Sequence, residues 1–562
     1  MRGEIKDEKN APIQNARIFV HSAKAYFYSG TTGGFGITMN NLYDSITVTK
    51  DGYEPVTLKV KTDVWQNITL KIAAATASKK RPRLISITKD KTQGSRFNWF
   101  PGDETYFQLV ENSFVDAGKY PNTGFALNVN KASYSNVRRF LNMGSPVPPD
   151  AVRVEEMINY FNLCYEKPEG SNPFKISSQL TDCPWDAKKQ LLCLNVSAKM
   201  LPLDKIPPGN FVFLIDISGS MDMPNRLSLI QAAFKMFVKN LRPVDSVSIV
   251  TYGGSVGVWL RPTSGANKDK INEAIESLVA AGDTPGESAI MAAYRLAQST
   301  YIKNGNNRVI LATDGDFNVG ETSEKALEEL IVKQKETGVY LTCLGVGMGN
   351  YKDSKLQTLA KKGNGNYAYL DDIREAEKVL IQELTQTFYT VGDNVSMNIS
   401  FDPSQIKEYR LIGFDNRKDA VSDSMSVLEG GEVGSGNNTL AMFEIIPQPG
   451  NPPSNRSLAK LVLQYSNPRD TATRFMNYDV MPNYVPVTQL SQPYRFVIAT
   501  AMFGLKLKQS PYFSKSIGFD EIRTFADAAA DKSNYVQAEM LALIEKASGI
   551  YDIKKKKKKI RF

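Results

Sequence analysis

Asp216, Ser218 and Ser220 stand at alternate positions directly after the apolar run Phe211-Val212-Phe213-Leu214-Ile215. A run of that length reads as a buried parallel strand. The strand therefore delivers one carboxylate and two hydroxyls into the loop beyond its end. All three are hard oxygen donors, the type that suits Mg²⁺, Mn²⁺ or Ca²⁺. Two later residues extend the set. Thr284 lies in the loop Ala281-Gly282-Asp283-Thr284-Pro285-Gly286, just before a helical segment. Asp314 follows the strand Arg308-Val309-Ile310-Leu311-Ala312-Thr313. In open α/β sheets the loops at the carboxyl ends of the strands gather around one crevice. Taken singly, Asp216 and Ser218 read as helix caps and Asp314 as a turn residue. The five together, in this order, read as a cation site.

The donor types also bound the chemistry. The three hydroxyls are neutral, and the two carboxylates can bind through water, as expected for Mg²⁺, which keeps several waters. An ion held this way is under-neutralised. An aspartyl-phosphate enzyme would need a second Asp two residues after the first, and Ser218 occupies that position. There is no Gly-x-x-x-x-Gly-Lys-Ser/Thr phosphate loop. Gly345-Val346-Gly347-Met348-Gly349 is glycine-rich but completes no dinucleotide fingerprint, and it reads as a tight turn after a strand. The chain has one histidine, His21, near its start and read as a surface or strand residue. A Ser-His-Asp or Cys-His nucleophilic site, or a His-based zinc site, in the later domains is therefore unsupported.

The elements that position these donors alternate strand and helix from 209 to 388. Residues 226–241 are amphipathic, with Leu227, Ile230, Phe234, Phe237 and Leu241 on one face. Residues 247–250, 308–313 and 339–346 read as strands, 289–298 as a helix, and 374–388 as a single closing helix. This is the pattern of a doubly wound, mostly parallel sheet. At this point the chain resembles a von Willebrand factor type A domain. Asp216, Ser218, Ser220, Thr284 and Asp314 match that family's metal-ion-dependent adhesion site, and Thr342-Cys343-Leu344-Gly345-Val346-Gly347 and Gly363-Asn364-Gly365-Asn366-Tyr367 fit its closing pattern. The resemblance implies a Rossmann-like fold, a bound Mg²⁺, Mn²⁺ or Ca²⁺, and a protein partner whose Asp or Glu supplies a further metal ligand. It implies recognition rather than catalysis.

The flanks add to this. Residues 101–165 carry helical signals, at 131–141 and 154–161, and residues 173–200 and 393–480 alternate as strands. Because the two β segments flank the α/β block directly, they are expected to form one discontinuous β-rich domain with the α/β domain inserted in it. Residues 492–552 turn helical again. The segments 132–142 and 152–161, with the region from about 385 to 550, are similar to the N- and C-terminal extensions of a bacterial subfamily of these proteins. That subfamily is exported, often as a lipoprotein. Asn128-Val129-Asn130-Lys131 departs from it where acidic residues are common. Residues 1–75 read as short strands between Gly-, Asn- and Asp-rich turns. Segments 3–13, 30–35 and 48–54 resemble a carboxypeptidase regulatory-like domain, which implies a transthyretin-like β-sandwich of a cell-envelope protein. That family has preceding residues and an export signal, so a truncated start is expected here. The expected domains are thus 1–75, a linker at 76–100, then 101–208, 209–388 and 389–552, with a Lys-rich tail at 553–562.

Composition sets the remaining bounds. At 562 residues the chain accommodates three or four domains. Its net charge of +9 is concentrated in the lysines of 554–559 and Arg561, so the body is near neutral and nucleic acid is not an expected partner. The lysine run is expected to be a solvated, frayed tail. Four cysteines, Cys164, Cys183, Cys193 and Cys343, make no disulfide framework; Cys343 reads as a buried hydrophobe, and Cys183 could pair with Cys193 if their strands formed a hairpin. No apolar run reaches the roughly 18 residues a membrane span needs, and the opening residues lack a signal-peptide core. Membrane anchoring would rest on a lipoprotein signal outside this sequence.

Overall fold

The computed structural model describes residues 1–71, 104, 106 and 110–559, leaving aside 9, 24, 40, 51–52, 164–165, 203–205, 224, 254, 282–285, 316–323, 349–350, 415–429, 451–455, 469 and 471. The expected linker at 76–100 lies outside the described residues. The chain divides into two compact units, Met1–Asp90 and Lys91–Phe562.

The first unit has seven strands: β1 (Arg2–Asp7), β2 (Arg17–Val20), β3 (Ala25–Tyr28), β4 (Gly34–Gly36), β5 (Tyr43–Thr49), β6 (Val56–Lys61) and β7 (Trp65–Leu70). They form two sheets, ordered β4-β1-β7 and β3-β2-β5-β6. Alternate residues such as Ile5, Ile18, Val20, Ile46, Val48, Ile68 and Leu70 fill one core shared by both sheets. His21 is exposed at the end of β2, its Nε2 within 2.8 Å of Thr47 Oγ1.

The second unit opens with two short strands, β8 (Val115–Asp116) and β9 (Asn122–Ala126), then α1 (Ala132–Asn142) and α2 (Val154–Ile158). The hairpin β10 (Phe174–Asp182) and β11 (Gln190–Ala198) follows. Next comes the α/β block: β12 (Gly209–Asp216), α3 (Leu227–Lys239), β13 (Ser246–Gly253), β14 (Ser255–Ser264), α4 (Lys268–Glu276), α5 (Gly286–Ser299), β15 (Asn306–Thr313), α6 (Glu324–Lys335), β16 (Val339–Gly345), α7 (Asp353–Lys362) and β17 (Tyr367–Tyr369). Its sheet is ordered β14-β13-β12-β15-β16-β17 and is parallel except for β14. Alternate residues of β12 serve two cores. Phe211, Phe213 and Ile215 pack with α3, while Val212 and Leu214 pack with α5 and α7.

The block closes with α8 (Ile373–Glu377) and α9 (Leu384–Phe388), separated by a π-turn at Lys378–Gln382. The single helix expected over 374–388 is thus interrupted. The amide of Glu383 reaches back to Lys378 O at 2.8 Å, and its carboxylate takes the ammonium groups of Lys131 and Lys378. The β-rich part resumes with β18 (Thr390–Phe401), β19 (Ile406–Ile412), β20 (Gly431–Gly434), β21 (Asn438–Pro447), β22 (Ala459–Ser466) and β23 (Thr473–Val480), and the chain ends in α10 (Gln492–Lys508), α11 (Phe519–Ala529) and α12 (Tyr535–Lys559). β21 pairs antiparallel with β11, so strands from either side of the α/β block share the sheet β10-β11-β21-β19-β8. A second sheet, β20-β18-β22-β23 with β9 on β18, packs on it through Leu192, Leu194, Val395, Met397, Leu461 and their neighbours. β8 and β9 lie in the region where only helices were expected; both are short strands completed by partners far along the chain.

The structure also decides the cysteine pairing that the sequence left open, and corrects the reading of the tail. Cys193 lies opposite Gln179, whereas Cys183 follows the end of β10, so the hairpin does not bring the two thiols together; both are free. Burial pushes each thiol up to about 12. The lysine run is not a frayed tail in its backbone, because α12 continues to Lys559. Lysine is a good helix former, and no proline interrupts the run. Among the described residues no helix is long and apolar enough to cross a membrane.

Buried ion pairs join α1 and α2 to the layers around them. Arg138 donates from Nε to Asp371 at 2.8 Å, from Nη2 to Glu375 at 2.6 Å and from Nη1 to Glu539 at 3.1 Å. Arg153 bonds Glu156 at 2.6 Å and Asp353 at 2.7 Å. Arg138→Met would strand two buried carboxylates, so a loss of about 3–5 kcal/mol is expected, read from the urea midpoint. Glu155 is a different case. It is buried, and its Oε2 has no partner among the described residues. Burial, helped by the Glu156 charge and opposed by Arg153 and Lys508, pushes its carboxyl up to about 7. The folded chain then holds a proton that the unfolded chain releases near the ordinary value of about 4.3. Stability from this group is full below that value and is lost as pH rises through about 7, on the order of 3 kcal/mol in all. Glu155→Gln is expected to flatten the fall of Tm between pH 5 and pH 8; an unchanged slope would show that other groups cause it.

Candidate metal centre

β12 and β15 are adjacent, yet the chain leaves them in opposite directions across the sheet, to β13 and β14 on one side and to β16 and β17 on the other. Their carboxyl ends therefore flank the switch point of the fold, the place where open α/β sheets bind their ligands. Asp216 ends β12 and Asp314 follows β15.

The Asp216 carboxylate is fully buried and turned inward. Its Oδ1 accepts from the Ser218 amide at 2.9 Å. Its Oδ2 accepts from Thr313 Oγ1 at 2.8 Å and from the Tyr252 hydroxyl at 3.1 Å. Tyr252 lies directly across from Asp216 on β13, and Thr313 closes β15 on the other side. Burial pushes the Asp216 carboxyl above its ordinary value, the bonds from Ser218 and Thr313 pull it back, and the charge of Asp314 adds to the upward push. The loop then turns sharply. Ile217 N bonds Tyr252 O at 2.8 Å and Ala281 N bonds Ile217 O at 2.6 Å. Gly253 permits this approach: a Cβ there would sit 2.6 Å from the Ile217 carbonyl carbon and 2.7 Å from Ala281 O.

Ser218 leads into a 3₁₀ turn at Gly219–Met221 that brings its Oγ within 3.1 Å of Ser220 Oγ. Octahedral ligands at roughly 2.1 Å from a Mg²⁺-sized ion lie about 3.0 Å apart along an edge. The hydroxyl pair thus has the spacing of two adjacent ligands. Asp314 is tied to the same loop through Arg226, whose Nη1 donates to Asp314 Oδ2 and, at 2.8 Å, to Ser220 O. Arg226 Nη2 donates to Met348 O at 2.8 Å. Gly315, at φ +88°, turns the backbone away after Asp314, where a Cβ would meet Lys352 N at 2.6 Å.

Four of the five sequence-predicted residues are described, and these bonds gather Asp216, Ser218, Ser220 and Asp314. Thr284 lies in 282–285, outside the described residues; Ala281, three residues before it, is bonded to the loop. Among the described residues no group of three or more His, Cys, Asp or Glu could hold a metal. A cation here would depend on hydroxyl as well as carboxylate oxygen, a donor set suited to a hard divalent ion. Sequence reasoning missed Tyr252, Thr313 and Arg226. The first two reach Asp216 only through strand register. Arg226 was visible as a basic residue opening an amphipathic helix, with nothing to mark its partner.

Comparison with known proteins agrees with this architecture. Residues 210–385 match the von Willebrand factor type A domain model, residues 101–193 a model described as von Willebrand factor, and residues 386–550 the C-terminal model of the uncharacterized protein YfbK. The chain is 37% identical over 479 residues to YfbK of Escherichia coli (strain K12), covering 81% of this chain and 82% of that one. It is also 27% identical over 210 residues to inter alpha-trypsin inhibitor, heavy chain 4 of Mus musculus, a match to 35% of this chain and 21% of that one. Among solved structures, a von Willebrand factor type A protein from Catenulispora acidiphila aligns over 56% of this chain and 76% of its own, at 15% identity and a TM-score of 0.38. With its α/β domain, both flanking regions and four-fifths of the length of its bacterial relative matched, the chain belongs to the YfbK family of von Willebrand factor type A domain proteins.

Proposed function

We propose that this chain is a non-enzymatic binding protein that captures a protein partner through a Mg²⁺-type ion at Asp216, Ser218, Ser220, Thr284 and Asp314. The observation that carries the reading is the Ser218–Ser220 hydroxyl pair, 3.1 Å apart and linked to two carboxylates at the switch point of the sheet. The hydroxyls would be direct ligands, and the carboxylates would act through ordered water. Such an ion keeps Lewis acidity toward an incoming anion, so an Asp or Glu of the partner completes its shell. A hydrolytic reading is disfavoured because Asp216, the most central carboxylate, is engaged by three donors and is not placed as a base.

The first unit supports the rest of the reading. Its two sheets over one core fit a transthyretin-like, carboxypeptidase regulatory-like accessory domain. Together with the flanking extensions, this favours a cell-envelope protein held at a membrane surface by a lipid anchor.

Ser218→Ala and Ser220→Ala are expected to abolish measurable Mn²⁺ binding by calorimetry while leaving the Tm within a few degrees of wild type. Wild-type chain that takes up neither Mg²⁺ nor Mn²⁺ would leave only a scaffold with a vestigial site. Thr313→Val removes a donor behind Asp216 and is expected to weaken Mn²⁺ binding about 10–100-fold, as loss of an outer-shell partner does. In a pull-down from envelope extract, partner capture should occur with Mg²⁺, vanish with EDTA, and fail for Asp216→Ala.

A further inference from the structure

The geometry points to Arg226 as a resident cation of the site that makes a divalent ion and an anionic ligand bind together. This rests on the metal-site reading above and adds a residue that the donor pattern does not contain. Arg226 is only 6% exposed. It is clamped by Asp314 Oδ2, Ser220 O and Met348 O, which come from three separate loops around the crevice. Gly347, at φ +82°, lies against it, and a Cβ there would be 2.6 Å from Arg226 Nε. A guanidinium held this way cannot swing out when an ion arrives without breaking all three loop contacts. Arginine, unlike lysine, is used in proteins as a permanently charged group.

Charge then decides what the site accepts. Asp216 and Asp314 bring two negative charges and Arg226 returns one positive charge. The site without metal is thus left with one net negative charge, and a divalent ion turns it into one net positive charge. Without Arg226 the occupied site would be neutral. In a buried setting an excess positive charge is costly, and an anion at the open coordination position relieves it. Arg226 therefore weakens the hold on the bare ion and strengthens the hold on the anion. A neutral ligand such as an amide carbonyl gains much less from it, because a dipole is attracted more weakly than a full charge. This makes Arg226 a specificity-determining residue for carboxylate ligands, acting through the charge of the site.

The test uses the full chain with Mn²⁺ and acetate as probes, followed by calorimetry. In wild type, acetate is expected to tighten Mn²⁺ binding, and Mn²⁺ to tighten acetate binding by the same factor. Arg226→Gln is expected to bind Mn²⁺ alone about tenfold tighter than wild type and to lose about tenfold in acetate affinity once loaded. Arg226→Lys, which keeps the charge without the fork, should follow wild type in both. A purely structural role would instead weaken Mn²⁺ binding in both variants. If Arg226→Gln binds Mn²⁺ no tighter than wild type, or if Arg226→Lys behaves like Arg226→Gln, the inference fails while the metal reading stands. If Arg226→Gln does not fold, absence of Mn²⁺–acetate coupling in wild type alone overturns it. Wild type that binds no Mn²⁺ overturns the metal reading and this inference with it.

Discussion

β12 is hydrogen-bonded along both edges, and the crevice follows from that constraint. All eight of its residues are buried, so each face must meet a helix layer. Apolar residues fill the strand from Phe211 to Ile215, and Asp216 stands at its last position. Because both neighbours run parallel to β12, they end at the same level. Tyr252, next to last on β13, and Thr313, the last residue of β15, therefore arrive beside the Asp216 carboxylate from either side. A carboxylate removed from water would take up a proton unless donors replaced its hydration. Two hydroxyls and the Ser218 amide do so here. The loop that carries Ser218 and Ser220 is thus shaped by the burial of the residue before it.

The same logic joins the layers of the second unit. Arg138, Arg153, Arg308 and Arg410 are all buried, and each pairs with carboxylates from elements distant in sequence. Such pairs contribute little net stability compared with apolar packing. Their forked geometry, however, accepts only one placement of the partner. Apolar contacts alone would allow α1 and α2 to slide over the α/β block. Arg138 against Asp371 and Glu375, and Arg153 against Asp353, do not. The two helices carry one register against the block because charges define it.

Much of this was legible beforehand, for identifiable reasons. The apolar run 211–215 and the alternate donors after it mark a strand and its exit loop, because side-chain period and donor type are local properties. The discontinuous β layer was legible as well: β10 and β11 precede the block, β18 to β23 follow it, and β11 pairs with β21 across it. What could not be read depends on contacts between distant segments. β8 and β9 have weak local patterns and exist as strands because β19 and β18 complete their hydrogen bonds. The π-turn in the closing segment comes from a carboxylate gripped by Lys131, a residue over two hundred positions earlier. Tyr252, Thr313 and Arg226 belong to the crevice through strand register and loop packing, which no single stretch of sequence encodes.

β15 shows how the two ends of the block are related. At its start, Arg308 pairs with Glu432 on β20, and Asn306 Nδ2 donates to Phe388 O at 2.6 Å. At its end, Thr313 holds Asp216, and Asp314 meets Arg226. At about 3.3 Å per residue the two ion pairs lie roughly 20 Å apart along one strand. A strand buried on both faces and paired on both edges neither bends nor slips by a fraction of its register. Asp314 is therefore fixed relative to the β layer that anchors Arg308. Any adjustment to an incoming ion must fall on the loops that carry Ser218, Ser220 and Met348. Those are the loops whose carbonyls Arg226 holds, so the guanidinium stands between the rigid strand and the segments that can move.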